Sequence, residues 1–152
     1  MSAASVRVPA SALETFAAGL FRFHGLPPAD AETVAHALVL ADLRGVDSHG
    51  VLRIGVYVER LKRGLVNPTP KLRALKEGPG TALLDGDNGM GPVVATAAMR
   101  LALEKAQTTG TGTVAVRRGN HYGMAATYPL MALEEDCIGL TLTNGPALVA
   151  PW

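Results

Sequence analysis

In Thr81-Ala-Leu-Leu-Asp-Gly-Asp-Asn-Gly-Met-Gly-Pro92 a short apolar run breaks into a glycine-rich turn, which meets a proline and then an Ala-rich stretch. The run Thr81–Leu84 reads as a strand. The glycines read as a turn, and Pro92 suits the first turn of a helix extending to Gln107. Working outward, Lys71–Lys76 reads as a strand joined to it through Gly78-Pro-Gly80. Downstream, Thr113–Val116 reads as a strand, Met124–Glu135 as a helix and Cys137–Thr143 as a further strand. This β-α-β-α-β order predicts an α/β (or α+β) sheet layer. The turn itself is G-x-x-G-x-G, and Gly110-Thr-Gly112 is too short. The G-x-G-x-x-G dinucleotide fingerprint is therefore missing, no G-x-x-x-x-G-K-[ST] phosphate loop occurs, and a plain turn is the better reading of both.

The first part of the chain reads as helices. Ser11 followed by Glu14 has the form of a capping box, opening a helix with Leu13, Phe16, Ala17, Leu20 and Phe21 on its apolar face. Gly25 and Pro27-Pro28 separate it from a second helix, about Pro28 to Arg44, with the stripe Ala31, Val34, Ala35, Leu38 and Val39 and Gly45 as its stop. A third is expected from near Ser48 to Gly64, carrying Leu52, Val56 and Leu61. Asn67-Pro-Thr-Pro70 then forms a rigid loop. The expected organisation is a helical region, 1–70, and an α/β region, 71–152. Since the last expected strand runs into Gly145-Pro146 and a Pro151-Trp152 end, the α/β region reads as cut short.

Composition narrows the function. In 152 residues, 14 Lys/Arg against 13 Asp/Glu leave no basic surplus for a nucleic-acid footprint. With 48% hydrophobic residues and a net charge of +1, disorder is not expected. The 17 glycines and 10 prolines exceed the combined share of roughly 12% in an average chain, so loops and turns are prominent. The single cysteine, Cys137, excludes an internal disulfide and reads as a small buried hydrophobe. Arg7 and Glu14 interrupt any leader-like run, and no stretch is long enough to span a membrane. A reducing cytoplasm is the simplest expectation.

Two segments could carry chemistry. In Asp47-Ser-His-Gly-Val-Leu-Arg53, His49 and Arg53 are four apart and would share a helical face, with Ser48 as a cap. A guanidinium beside an imidazole suits a carboxylate ligand: Arg53 would grip it through paired hydrogen bonds while His49 passes a proton. The bland alternative is an N-cap followed by a solvated His and Arg. In Arg117-Arg-Gly-Asn-His-Tyr-Gly123, His121 follows a strand, where ligand groups gather in open α/β sheets. Its alternative is a turn histidine with two solvated arginines. No metal site is expected, because His24, His36, His49 and His121 fall in no ligand motif; Asp47 and His49 could offer two ligands, and nothing nearby completes a set. No G-x-S-x-G elbow is present.

Taken together, Asp42-Leu-Arg-Gly-Val-Asp-Ser-His-Gly-Val-Leu-Arg53 and Gly119-Asn-His-Tyr-Gly123 resemble the malate/L-lactate dehydrogenase family of the second type, which includes ureidoglycolate dehydrogenase and 2,3-diketogulonate reductase relatives. The likeness extends through Asp85–Gly91, the Ala-rich helix, and Thr143-Asn144 toward Pro151. It implies an NAD- or NADP-dependent oxidoreductase acting on small 2-hydroxy or 2-oxo acids or related imines. It also implies a mixed, non-Rossmann sheet with flanking helices, and a homodimer. By the same resemblance His49 and His121 line the active site, one of them transferring the proton. Arg53 holds the substrate carboxylate with Ser48 beside it, and Asn120, Gly123 and Asn144 are cofactor contacts. Gly119 departs from the serine of many relatives, and Gly145 from a polar residue near the nicotinamide. Relatives are more than twice as long, so the chain is expected to be the N-terminal part of such an enzyme. The competing expectation is a non-catalytic fragment serving only in association.

Overall fold

The structure, a computed structural model, describes residues 6–145; the expectations placed on Pro146, Pro151 and Trp152 lie outside them. Helix α1 (Ala10–Phe23) and helix α2 (Pro28–Leu43) fold against each other around Ala17, Phe21, Val34 and Leu38, all fully buried. The expected stripe of α2 is buried throughout. Gly25 turns the chain between the helices at φ 94°, and Leu26 N–H closes back on Phe21 O, the hydrogen bond that a left-handed glycine permits at a helix end.

The capping box does not form. Pro9 precedes the helix, so Ser11 lies inside it, where its carbonyl accepts from the Thr15 hydroxyl. Glu14 instead reaches His36 Nδ1 at 3.0 Å, taking the carboxylate away from the helix start. Phe16 is likewise not on the buried face; it is 61% exposed, and Ala18 takes the inner position.

The third helix is broken at its start. Two 3-10 turns, Asp47–His49 and Val51–Arg53, precede helix α3 (Ile54–Lys62). Leu52 and Val56, expected on its apolar side, are exposed, and Tyr57 is the residue that α3 buries. Strands β1 (Arg73–Glu77) and β2 (Thr81–Asp85) pair antiparallel, with a bulge between Ala74 and Lys76. Helix α4 (Gly91–Thr109) then leads to strand β3 (Thr113–Arg117), which pairs parallel with β2. The result is a mixed three-stranded sheet in the order β1-β2-β3, with Leu84 packed on Val94 and Ala98 of α4.

Helix α5 (Thr127–Leu133) is shorter than expected at both ends. The strand expected over Cys137–Thr143 does not form, because no other strand pairs with it among the described residues. The segment keeps a period of two all the same: Cys137, Gly139 and Thr141 are half-buried, whereas Ile138, Leu140 and Leu142 stand 101%, 77% and 82% exposed. Cys137 is thus half-buried rather than a core residue. No helix among the described residues is long and apolar enough to cross a membrane.

Candidate active site

The Asp42–Arg53 segment is shaped by one carboxylate at the end of α2. Asp42 Oδ2 accepts the Val51 N–H at 2.9 Å, doing for the second 3-10 turn what a cap does for a helix. Gly50 fits beneath it only because it lacks a side chain, since a Cβ there would lie 1.7 Å from Asp42 Oδ1. Gly50 is extended, at ψ −153°, and so interrupts the helix that the spacing of His49 and Arg53 predicts. Ser48 does not cap; its hydroxyl lies 2.9 Å from His49 Nδ1. Arg53 is drawn back instead, donating from Nε to Ser48 O at 2.7 Å. Ser48, His49 and Arg53 are thereby brought together by a tight double turn rather than by a helical face.

The second segment approaches from the sheet. After β3, Arg118 takes φ 55° and binds Asp85 Oδ2 at 3.3 Å and Asp87 Oδ1 at 2.8 Å. Arg117 Nε lies 3.6 Å from Asp85 as well, so neither arginine is simply solvated. Asp87 also accepts from the Lys71 amide and from Asn67 Nδ2, and these donors hold its carboxyl below the usual range. The turn from Asp85 to Gly91 is fastened in this way against the loop after β3.

Asn120 joins three elements. Its amide nitrogen lies within 3.0 Å of Asn88 O, Asn88 Oδ1 and Gly89 O, and its carbonyl accepts from Arg60 of α3 at 2.8 Å. The amide is thus engaged within the chain. Gly91 allows the start of α4 to press against the same loop, because a Cβ there would meet His121 O at 2.1 Å.

These supports place His121 beside His49. The two rings stack with centroids 5.3 Å apart and an 18° tilt. On its inner edge, His121 Nδ1 lies 2.8 Å from the hydroxyl of buried Tyr57. Burial, then the charges of Arg53, His49 and Arg60, lower the His121 pKa below its ordinary value. Burial pushes the Tyr57 phenol up to about 12, against the opposing pull of Arg53 and Arg60. The outcome is a neutral imidazole and a protonated phenol at neutral pH, with a guanidinium nearby.

Of the residues expected at the site, Ser48, His49, Arg53, Asn120 and His121 converge. Gly123 is buried with φ 79°, two residues beyond His121. Asn144 lies in exposed coil, and among the described residues no side-chain hydrogen bond ties it to the others. Sequence reasoning missed Tyr57, Arg60 and the role of Asp42. The one signal in reach was spacing, since Tyr57 follows Arg53 by four. No group of three His, Cys, Asp or Glu among the described residues is placed to hold a metal ion. His36 pairs with Glu14, and His24 meets the edge of Phe23.

Comparison with known proteins adds to this geometry. The pattern of the malate/L-lactate dehydrogenase family matches residues 8–152. A malate dehydrogenase of Pyrococcus abyssi is 50% identical over 146 residues, which are 96% of this chain and 40% of that protein. A ureidoglycolate dehydrogenase (NAD(+)) of Escherichia coli K12 is 36% identical over 84% of this chain and 37% of its own length. The structure of malate dehydrogenase from Pyrococcus horikoshii OT3 superimposes with a TM-score of 0.84 at 50% identity, covering 86% of this chain and 37% of that one. The chain therefore spans about two fifths of the length of these relatives.

Proposed function

This chain belongs to the malate/L-lactate dehydrogenase family, and on that footing we propose that it supplies the substrate and proton-transfer side chains of an NAD(P)-dependent oxidoreductase. The reaction is hydride transfer between nicotinamide and C2 of a small 2-hydroxy or 2-oxo acid of malate or lactate type. The observation that carries the reading is the stacked pair His49 and His121 with Arg53 alongside. NAD is the first choice of carrier, being named for the ureidoglycolate relative. NADP would serve the same role.

The nicotinamide, when bound, supplies the hydride chemistry. The chain's own residues do the rest. Arg53, with Nε engaged by Ser48 O, is left to offer its terminal nitrogens to the substrate carboxylate, fixing C2 near the two rings. One of the histidines passes the proton to or from the C2 oxygen. Ser48 holds the His49 ring through Nδ1.

The cofactor end fits this chain only in part. Of the three expected contacts, the Asn120 amide is occupied internally and Gly123 is buried, leaving Asn144 as the exposed one. The hollow between Tyr57, Arg60, Met90 and His121 offers about 10 Å³, room for no more than a water molecule. The same proposal includes two regions, 1–70 and 71–152, a homodimer and a reducing cytoplasm. For the dimer, Phe16 and Phe23 stand 61% and 84% exposed, seven residues apart on one side of α1.

The test is turnover of the protein as its gene encodes it. His49→Ala and His121→Ala are each expected to lower kcat, the proton-transferring one by about 10²–10⁴-fold, and Arg53→Ala to raise KM for the acid. Unchanged turnover in both histidine variants overturns the assignment.

A further inference from the structure

Tyr57 lies outside every motif, yet its hydroxyl is the hydrogen-bond partner of the His121 ring. The phenol is 4% exposed and packs on Phe21 with ring centroids 6.4 Å apart, so it has little water to turn toward. Its 2.8 Å contact with Nδ1 can be made in two ways. If Nδ1–H donates to the phenol oxygen, the buried O–H is left without an acceptor among the described residues, a costly arrangement. If the hydroxyl donates to a bare Nδ1, its donor is used and the neutral imidazole carries its hydrogen on Nε2. The surroundings support the second case. Burial and the nearby Arg53, His49 and Arg60 keep the ring uncharged, and the raised phenol pKa keeps the hydroxyl protonated.

We propose that Tyr57 is a positioning residue: it donates to His121 Nδ1 and so fixes the neutral ring as the tautomer with hydrogen on Nε2, the edge left for a ligand. The backbone beneath is held by Asn120, clamped between Arg60 and the Asn88–Gly89 turn. The resting ring meets a ligand as a hydrogen-bond donor aimed at an acceptor oxygen, such as the C2 oxygen of a 2-oxo acid. His49 differs, because its Nδ1 faces the exposed Ser48 hydroxyl, which can donate or accept. The two stacked rings are therefore not interchangeable. The ligand consequence rests on the dehydrogenase reading, whereas the tautomer rests on the hydrogen bond alone.

Long-range ¹H–¹⁵N spectra of the 152-residue chain, labelled at histidine and recorded above the titration range of the rings, test this directly. His121 is expected to show its hydrogen on Nε2 and an Nδ1 signal displaced by a hydrogen bond. In Tyr57→Phe, which keeps the ring against Phe21, that displacement is expected to vanish and the Nδ1–H tautomer to gain population. The His24 and His36 signals should stay in place and report an intact fold. Hydrogen on Nδ1 in the parent chain overturns the proposal, as does an unmoved His121 spectrum in Tyr57→Phe. If Tyr57→Phe unfolds, the parent spectrum decides alone. Failure of the dehydrogenase reading would appear as an inactive protein with this tautomer intact, so the two outcomes are separable.

Discussion

His121 titrates differently in the folded and unfolded chain, and that difference has a sign. Unfolded, its pKa lies near 6.5; folded, it is lower because of burial and the neighbouring Arg53, His49 and Arg60. As pH falls past about 6.5, the unfolded chain takes up a proton that the folded one resists, so stability is full above that pH and declines toward the folded pKa. The unfolding free energy from urea titrations should therefore fall on acidification from about pH 7 to about pH 5. His121→Asn should flatten that slope, and an equal slope in both proteins would count against the assignment. Asp87, whose pKa is held down first by the Lys71 amide and then by Arg118, acts in the same direction at lower pH. Its contribution is present above the ordinary carboxylate range and is lost as pH falls through its folded pKa, which separates the two effects on the pH axis.

Between the elements, the double turn of Asp47–Arg53 offers a contrast of two glycines. Gly50→Ala would force a Cβ into the Asp42 carboxylate and free the Val51 N–H, lowering stability by about 1–3 kcal/mol. Gly55→Ala lies inside α3, where a Cβ meets nothing within 4 Å, and should gain about 0.5–1 kcal/mol. Urea midpoints read both signs; a stable Gly50→Ala would refute the clamp. The same contrast explains what was legible in the sequence. The stripe of α2 and the β2–turn–α4–β3 run were readable because near neighbours impose their periods. The double turn was not, because the Asp42 carboxylate acts eight residues along the chain, at Gly50 and its neighbour Val51. Tyr57 was hidden for a similar reason: a tyrosine in an amphipathic helix reads as core, and the partner that gives it a second role lies 64 residues on. His49 and His121 could be singled out one at a time, but their stacking depends on the fastened turn of Asp85–Gly91. At Cys137–Thr143 a strand was expected from the residues and does not form, since a ladder needs a second strand.

At the scale of the molecule, the most exposed large apolar side chains among the described residues include Phe23 on α1 and the row Ile138, Leu140 and Leu142. Contiguous exposed apolar side chains favour association. Replacing the three residues of the row by Ser should remove the larger part of any apolar-dye fluorescence and concentration-dependent light scattering of this chain. The far-ultraviolet dichroism should be unaltered, because none of the three belongs to the core. Unchanged dye binding would place the sticky surface elsewhere, with Phe16 and Phe23 next in line. Asn120 has a consequence of another kind. Its single amide ties α3, through Arg60, to the Asn88–Gly89 turn and to the loop that bears His121. Viewed mechanically, it is a knot where three strings cross. A force pulling α3 away from that loop is borne by two side-chain hydrogen bonds, Arg60 to Asn120 and Tyr57 to His121, whereas α1 and α2 share their load along the whole length of their contact. Under strain, the site would come undone while the helical pair still held.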